Sequence, residues 1–256
     1  MLSPRAMILR APGTNCDHET AYAFERAGAV SRRVHLRVLV QKPKLVNDFQ
    51  ILCIPGGFSY GDDIASGRIF ALELTSHLAD VLHAFRDRGG LILGICNGFQ
   101  VLLQTGLLLR DPLTGTARAS LATNQSGQFI DRWVHLRSVA GRCLFLQDID
   151  VFELPVAHGE GRFVTRSLED LNHLDATGQL VLRYAPDSNG VSTNPNGAAG
   201  DVAGACDESG QVLGLMPHPE RFIDATQHPA WNTRLDANAS GAGLALFASA
   251  VKAVSS

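Results

Sequence analysis

The sequence predicts an α/β protein: a mostly parallel sheet flanked by helices, with additional antiparallel strands in the C-terminal half. Three observations carry that expectation. In the first half the apolar runs Ala6–Leu9, Phe49–Ile54 and Leu91–Ile95 are continuous rather than alternating, which is how strands buried on both faces read. Segments of helical period separate them. From Gln128 onward the texture changes to short mixed segments with many Gly, Asn and Pro between them, as expected of antiparallel strands joined by turns.

The elements follow in order. Ala6–Leu9 runs into Pro12-Gly13, a buried strand stopped by a turn. Thr14 is placed to cap a helix, with Asp17 three positions on, and the segment through Ala21, Phe24 and Ala27 stops at Gly28. Val34–Val40 reads as a second strand and Phe49–Ile54 as a third, broken by Pro55-Gly56-Gly57. Leu74, Leu78, Val81, Leu82 and Phe85 then recur at the spacing of one helix face before Gly89-Gly90 ends the helix. Leu91–Ile95 is a continuous apolar strand, and Phe99–Leu109 another helix. The later strand candidates are Phe129–Leu136, Val151–Val156, Leu180–Tyr184 and Val212–Met216, and Leu244, Leu246, Phe247 and Val251 suit one closing helix. No repeat or sharp composition break appears, so one domain, 1–256, is expected, with the tail 225–256 the least anchored part.

A chain of 256 residues with 45% hydrophobic and 18% charged residues has enough apolar side chains for a sizeable core, which excludes disorder for the bulk. The net charge of -3 provides no basic field to collect nucleic acid or an anionic membrane surface. No apolar run approaches the roughly 18 residues of a bilayer span. The five cysteines are odd in number and widely spaced, so neither a disulfide framework nor zinc ligation is expected, the metal expectation is none, and a reducing cytoplasm is the natural setting. The only lysines, Lys42, Lys44 and Lys252, complete no Gly-x-x-x-x-Gly-Lys-Ser/Thr loop, so ATP chemistry of that type is not housed in this chain.

Chemistry concentrates at Gly94-Ile95-Cys96-Asn97-Gly98, where a buried strand meets a helix. That is the context of a nucleophile elbow. A sharp turn with the nucleophile at its apex brings neighbouring backbones close, and glycines on either side remove the Cβ atoms that would clash. The helix N-terminus would also favour an ionised sulfur. A nucleophilic thiol needs a base and the base an orienting partner. Pro217-His218-Pro219-Glu220 supplies both, because residues two apart in an extended segment project to the same side. Glu220 can then hold one nitrogen of His218 while the other faces Cys96. His158, in His158-Gly159-Glu160-Gly161, is the other histidine that stands out. For a developing oxyanion, the backbone N–H groups of Gly57 and Asn97 are the candidate donors. The adjacent Asp62 and Asp63 read as a solvated loop rather than a catalytic pair.

Together these stretches resemble the class I glutamine amidotransferases, through Gly94-Ile95-Cys96-Asn97-Gly98-Phe99-Gln100 and His218-Pro219-Glu220. Within that superfamily they are most similar to the glutaminase subunits of phosphoribosylformylglycinamidine synthases. That narrower resemblance rests on Arg10–Asp17, on Pro55–Asp62 and on Ala157-His158-Gly159-Glu160-Gly161 and Asn194-Pro195-Asn196-Gly197. The resemblance covers about Ile8 to Phe222. It implies the single-domain class I amidotransferase fold, with Cys96 as nucleophile, His218 as base and acid, Glu220 as orienter, and Gly57 with Asn97 as the oxyanion hole. It also implies that Gln100, Asn124, Ser126 and Phe129 bind the substrate, glutamine. Gln128 stands where the family usually has a basic residue, and Ala198 where a serine is common. No cofactor is implied in this chain, while ATP and Mg are expected in a partner synthetase that takes up the ammonia, often with a small third subunit. No nucleic acid and no membrane are implied. Another amidotransferase branch, or a catalytically silent scaffold subunit, are the alternative readings.

Overall fold

Nine strands form one twisted sheet in the order β2-β1-β3-β4-β11-β10-β9-β6-β7 in the computed structural model, which describes residues 3–139, 141–234 and 236–255. The first five neighbours are parallel: β1 (Arg5–Arg10), β2 (Val30–His35), β3 (Ile51–Ile54), β4 (Leu91–Ile95) and β11 (Val212–Leu215). The other four, β6 (Ile130–Ser138), β7 (Val151–His158), β9 (Leu182–Tyr184) and β10 (Val202–Cys206), extend the sheet antiparallel from the edge of β11. A separate two-stranded sheet pairs β5 (Ala119–Ala122) with β8 (Arg162–Thr165). The expected mixture of parallel and antiparallel strands is therefore present.

Every residue of β3, β4 and β11 is buried, the condition in which an apolar run needs no alternation. The helices are α1 (Asp17–Arg26), α2 (Leu36–Gln41), α3 (Arg68–Asp87), α4 (Asn97–Thr105), α5 (Leu168–Ala176), α6 (Trp231–Arg234) and α7 (Leu244–Val254). On α3 the buried side chains are Phe70, Ala71, Leu74, Leu78, Leu82 and Phe85, the stripe that the spacing predicts except that Val81 is only half-buried and Phe70 and Ala71 extend it. α7 closes the chain against α1, where Phe24 and Phe247 meet edge to face at 4.9 Å. The backbone just before α7 also runs against the segment after β11: Gly241 N–H donates to Ile223 O at 2.7 Å and Gly243 N–H to Phe222 O at 2.9 Å. A Cβ on Gly243 would stand 2.0 Å from Pro219 O.

Three expectations are corrected. Val34–Val40 is not a strand: β2 ends at His35, and residues 36–41 turn into α2, burying Leu36 and Leu39 one helical turn apart. The His35 ring accepts a hydrogen bond from Arg37 N–H at 3.2 Å and so starts that helix. Thr14 does not cap α1. Its hydroxyl accepts from Ala11 N–H at 3.1 Å, inside the turn that ends β1, and Cys16 takes the N-cap position. The helix expected to reach Leu109 stops at Thr105, where Gly106 adopts φ 77°.

Candidate active site

The parallel strands deliver their carboxyl ends to one edge, the place where open α/β sheets hold ligands. Cys96 follows β4, Gly56 and Gly57 follow β3, the 217–220 segment follows β11, and residues 11–16 follow β1. The β4–β11 register sets Ile95 opposite Leu215, so Cys96 and the histidine three residues past Leu215 leave the sheet side by side. Cys96 N–H donates to Leu215 O at 2.8 Å across that junction.

The turn at Cys96 is strained. Its φ of 51° and ψ of -105° lie far from the conformations a side chain prefers. The flanking glycines are required by contact rather than by φ: a Cβ on Gly98 would sit 1.8 Å from Ile54 O, and one on Gly94 2.6 Å from Gly98 O. The thiol is buried and lies 3.7 Å from Ala157 O.

His218 and Glu220 are held without solvent. Glu220 is fully buried and its Oε1 accepts from His218 Nδ1 at 2.7 Å, while His218 Nε2 has no partner among the described residues. Burial alone would depress the imidazole, but the Glu220 carboxylate and then the Cys96 sulfur outweigh it and hold the His218 pKa well above the ordinary value. Gly56 gives the ring its room, since a Cβ there would stand 2.9 Å from His218 Cε1.

The loop carrying Gly57 is fastened to the end of β1. Cys16 N–H donates to Gly56 O at 3.2 Å, Phe58 N–H to Gly13 O at 3.0 Å and Tyr60 N–H to Pro12 O at 2.7 Å. Asn97 tightens it from the other side. Its amide donates to Asp62 Oδ1 at 3.2 Å and to Gln100 Oε1 at 3.0 Å, and its Oδ1 accepts from Ser59 N–H at 3.4 Å. Asp62 is thus an anchor and not a solvated loop residue; it also accepts from Ser66 and from Gly67 N–H, and burial raises its pKa.

A pocket of about 250 Å³ brings together Gly57, Cys96, Gln100, Phe129, His158 and His218. Gln100 donates to Glu160 O at 2.6 Å, and Phe129 is half exposed at the rim. Asn124 does not line the pocket. Its amide donates to Gln128 O and His158 O, and its Oδ1 meets His158 Nδ1 at 3.0 Å and accepts from Gly161 N–H. Asn124 therefore holds the wall that carries His158. Ser126 is exposed outside the pocket and accepts from Gln128 N–H at 3.3 Å. Burial, then the charge of His218, push the His158 pKa down to about 4, so this ring stays neutral beside the charged one. Sequence reasoning passed over Cys16, Asp62 and Arg221, all of which line the pocket; the Asn15-Cys16-Asp17 stretch was the available signal.

Known proteins resemble the chain along nearly its whole length. Residues 3–254 match the CobB/CobQ-like glutamine amidotransferase domain. The chain is 44% identical over 253 residues to the phosphoribosylformylglycinamidine synthase subunit PurQ of Dehalococcoides mccartyi, covering 98% of each protein. It is 40% identical to the same subunit of Methanococcus maripaludis, covering 90% of this chain and 87% of the relative. Among solved structures, PurLQS from Thermotoga maritima superimposes with a TM-score of 0.75 at 33% identity, over 99% of this chain and 100% of that one. With an elbow cysteine, a buried His–Glu pair and a match along nearly its whole length, the chain belongs to the CobB/CobQ-like glutamine amidotransferase family.

Proposed function

We propose that this chain is the glutaminase subunit of a phosphoribosylformylglycinamidine synthase, with Cys96 as its nucleophile. The observation that carries the reading is the β4–β11 pairing, which sends the strained elbow and the His218–Glu220 pair out of the sheet on adjacent parallel strands.

The chemistry follows from the geometry. The Cys96 sulfur attacks the side-chain carboxamide carbon of glutamine as a thiolate beside the already protonated His218, whose Nε2 no described protein group occupies. Glu220 accepts from Nδ1 and keeps the imidazolium oriented and stabilised. The negative oxygen of the tetrahedral intermediate is held by the N–H groups of Gly57 and Asn97, each worth about 3 kcal/mol on the mutational scale. His218 gives its proton to the departing nitrogen, ammonia leaves, and a glutamyl thioester remains on Cys96. Water then attacks the thioester, His218 takes its proton, and glutamate is released. Gln100 and Phe129, on the pocket wall and rim, contact the substrate. The ammonia passes to a synthetase partner, which would supply the ATP and Mg, with a small third subunit completing the complex in the cytoplasm.

Cys96→Ala in the assembled synthase tests the assignment. Glutamine-dependent synthesis should fall by at least about 10³-fold, as when a nucleophile is removed from other acyl-transfer enzymes, while synthesis from ammonium salts is retained. Loss of both activities would make Cys96 a structural residue and overturn the assignment.

A further inference from the structure

Cys16 places a second sulfur beside the catalytic imidazole. It is buried, its Sγ accepts from Arg221 Nη2 at 3.2 Å and lies 3.2 Å from Asn15 Oδ1. A donor atom from each of Cys16, His218 and Glu220 lies within 4.8 Å of the other two. Glu220 Oε2 and His218 Nε2 are buried without a hydrogen-bond partner among the described residues. Gly56 keeps the space between the two segments open, since a Cβ there would also stand 3.2 Å from Cys16 Sγ.

We propose that Cys16, His218 and Glu220 form a site for a borderline-soft divalent cation of the Zn²⁺ type, and that occupancy silences the glutaminase. One thiolate, one imidazole and one carboxylate form a donor set that Zn²⁺ accepts, and a water from the pocket completes four-coordination. The thiol proton and the proton on the His218 ring both go to solvent, so thiolate and carboxylate together balance the charge of the ion and the imidazole binds it as a neutral donor. Arg221 then serves as the outer N–H donor that metal-bound thiolates commonly have. Cys16 and His218 both line the pocket, which provides the entry path. The silencing half rests on His218 being the base: a cation on that ring and on Glu220 removes the groups that carry the proton. No spacing motif announces the site because its donors lie at opposite ends of the chain.

Cobalt(II) titration of the full chain reads binding without reference to turnover. A thiolate-to-cobalt charge-transfer band should form in the wild type and in Cys96→Ala, and be absent in Cys16→Ala and in the near-isosteric Cys16→Ser. A band that survives both Cys16 substitutions, or that disappears only in Cys96→Ala, overturns the site. In the assembled synthase, Zn²⁺ should inhibit glutamine hydrolysis reversibly with respect to chelator. Cys16→Ser should raise the inhibitory concentration at least about tenfold, the scale on which metal sites respond to lost partners. If the cobalt band depends on Cys16 while saturating Zn²⁺ leaves hydrolysis untouched, the site stands, and silencing falls together with the role of His218.

Discussion

The parallel and antiparallel parts of the sheet serve the same pocket in different ways. β3, β4 and β11 are buried along their whole length and end at the reacting groups, whereas β6 and β7 alternate buried and accessible residues and build the wall around His158. Positions at the strand ends are fixed by backbone contacts closer than any Cβ allows. Positions in the wall are fixed by side-chain hydrogen bonds such as those of Asn124. Precision at the elbow cysteine thus comes from excluded volume, and the setting of its surroundings from polar pairing.

The contrast is sharpest under a single added methyl group at the elbow. Gly98→Ala, whose Cβ would meet Ile54 O at 1.8 Å, should destabilise the fold by about 4 kcal/mol or more, the range reserved for severe clashes. Denaturant midpoints at constant m-value report it, and an unchanged midpoint would mean that the elbow is not held by backbone contact. Glu220→Gln should leave the fold in place and lower kcat of the glutaminase in the synthase about 10³-fold, since the imidazolium loses its orienting charge. A variant with unchanged kcat would show that the buried pair is only structural.

In the wall, His158 makes stability depend on pH. Its folded pKa of about 4 lies below the ordinary 6.5, so in acid the unfolded chain takes up a proton that the folded chain refuses. Stability is therefore lost as pH falls from about 6.5 to about 4 and levels off below. Between neutrality and pH 4 the wild type should lose on the order of 3 kcal/mol more than His158→Gln. Parallel losses in the two proteins, measured by thermal unfolding across that range, would remove His158 from the account. The smallest effect is expected at Gly159, where an added Cβ would meet nothing closer than Phe129 Cδ2 at 3.9 Å. Gly159→Ala should shift stability by no more than about 0.5 kcal/mol, and a loss comparable to that of Gly98→Ala would erase the distinction between the two regions.

The same division governs how much could be read from the residues in order. Strands buried on both faces write themselves as apolar runs, so β1, β3 and β4 were legible, and the elbow with them; β11 was expected among the antiparallel strands, and its parallel pairing with β4 corrects that. β10 was not, because Val202-Ala203-Gly204-Ala205-Cys206 carries small residues that do not read as a strand. α2 was misread because Val34, Leu36, Val38 and Val40 alternate like a strand while Leu36 and Leu39 are the pair that the fold buries. In the site, the elbow cysteine and the His218–Glu220 pair proposed as nucleophile, base and orienter followed from chemistry that needs particular side chains at particular spacings. The work of Asn124, Asp62 and Cys16 depends on partners far along the chain, such as His158 and Gly161 for Asn124, Asn97 for Asp62 and Arg221 for Cys16, so it becomes visible only when the loops are brought together.

The closing segment has a consequence of its own. Because Gly241 and Gly243 bond to the backbone at residues 222–223 and Gly243 lies against Pro219, the residues from Gly241 to the end of α7 act as a splint behind the imidazole-bearing turn. Deleting them, or inserting a bulky residue at either glycine, would disturb proton transfer from behind without altering any group that meets the substrate.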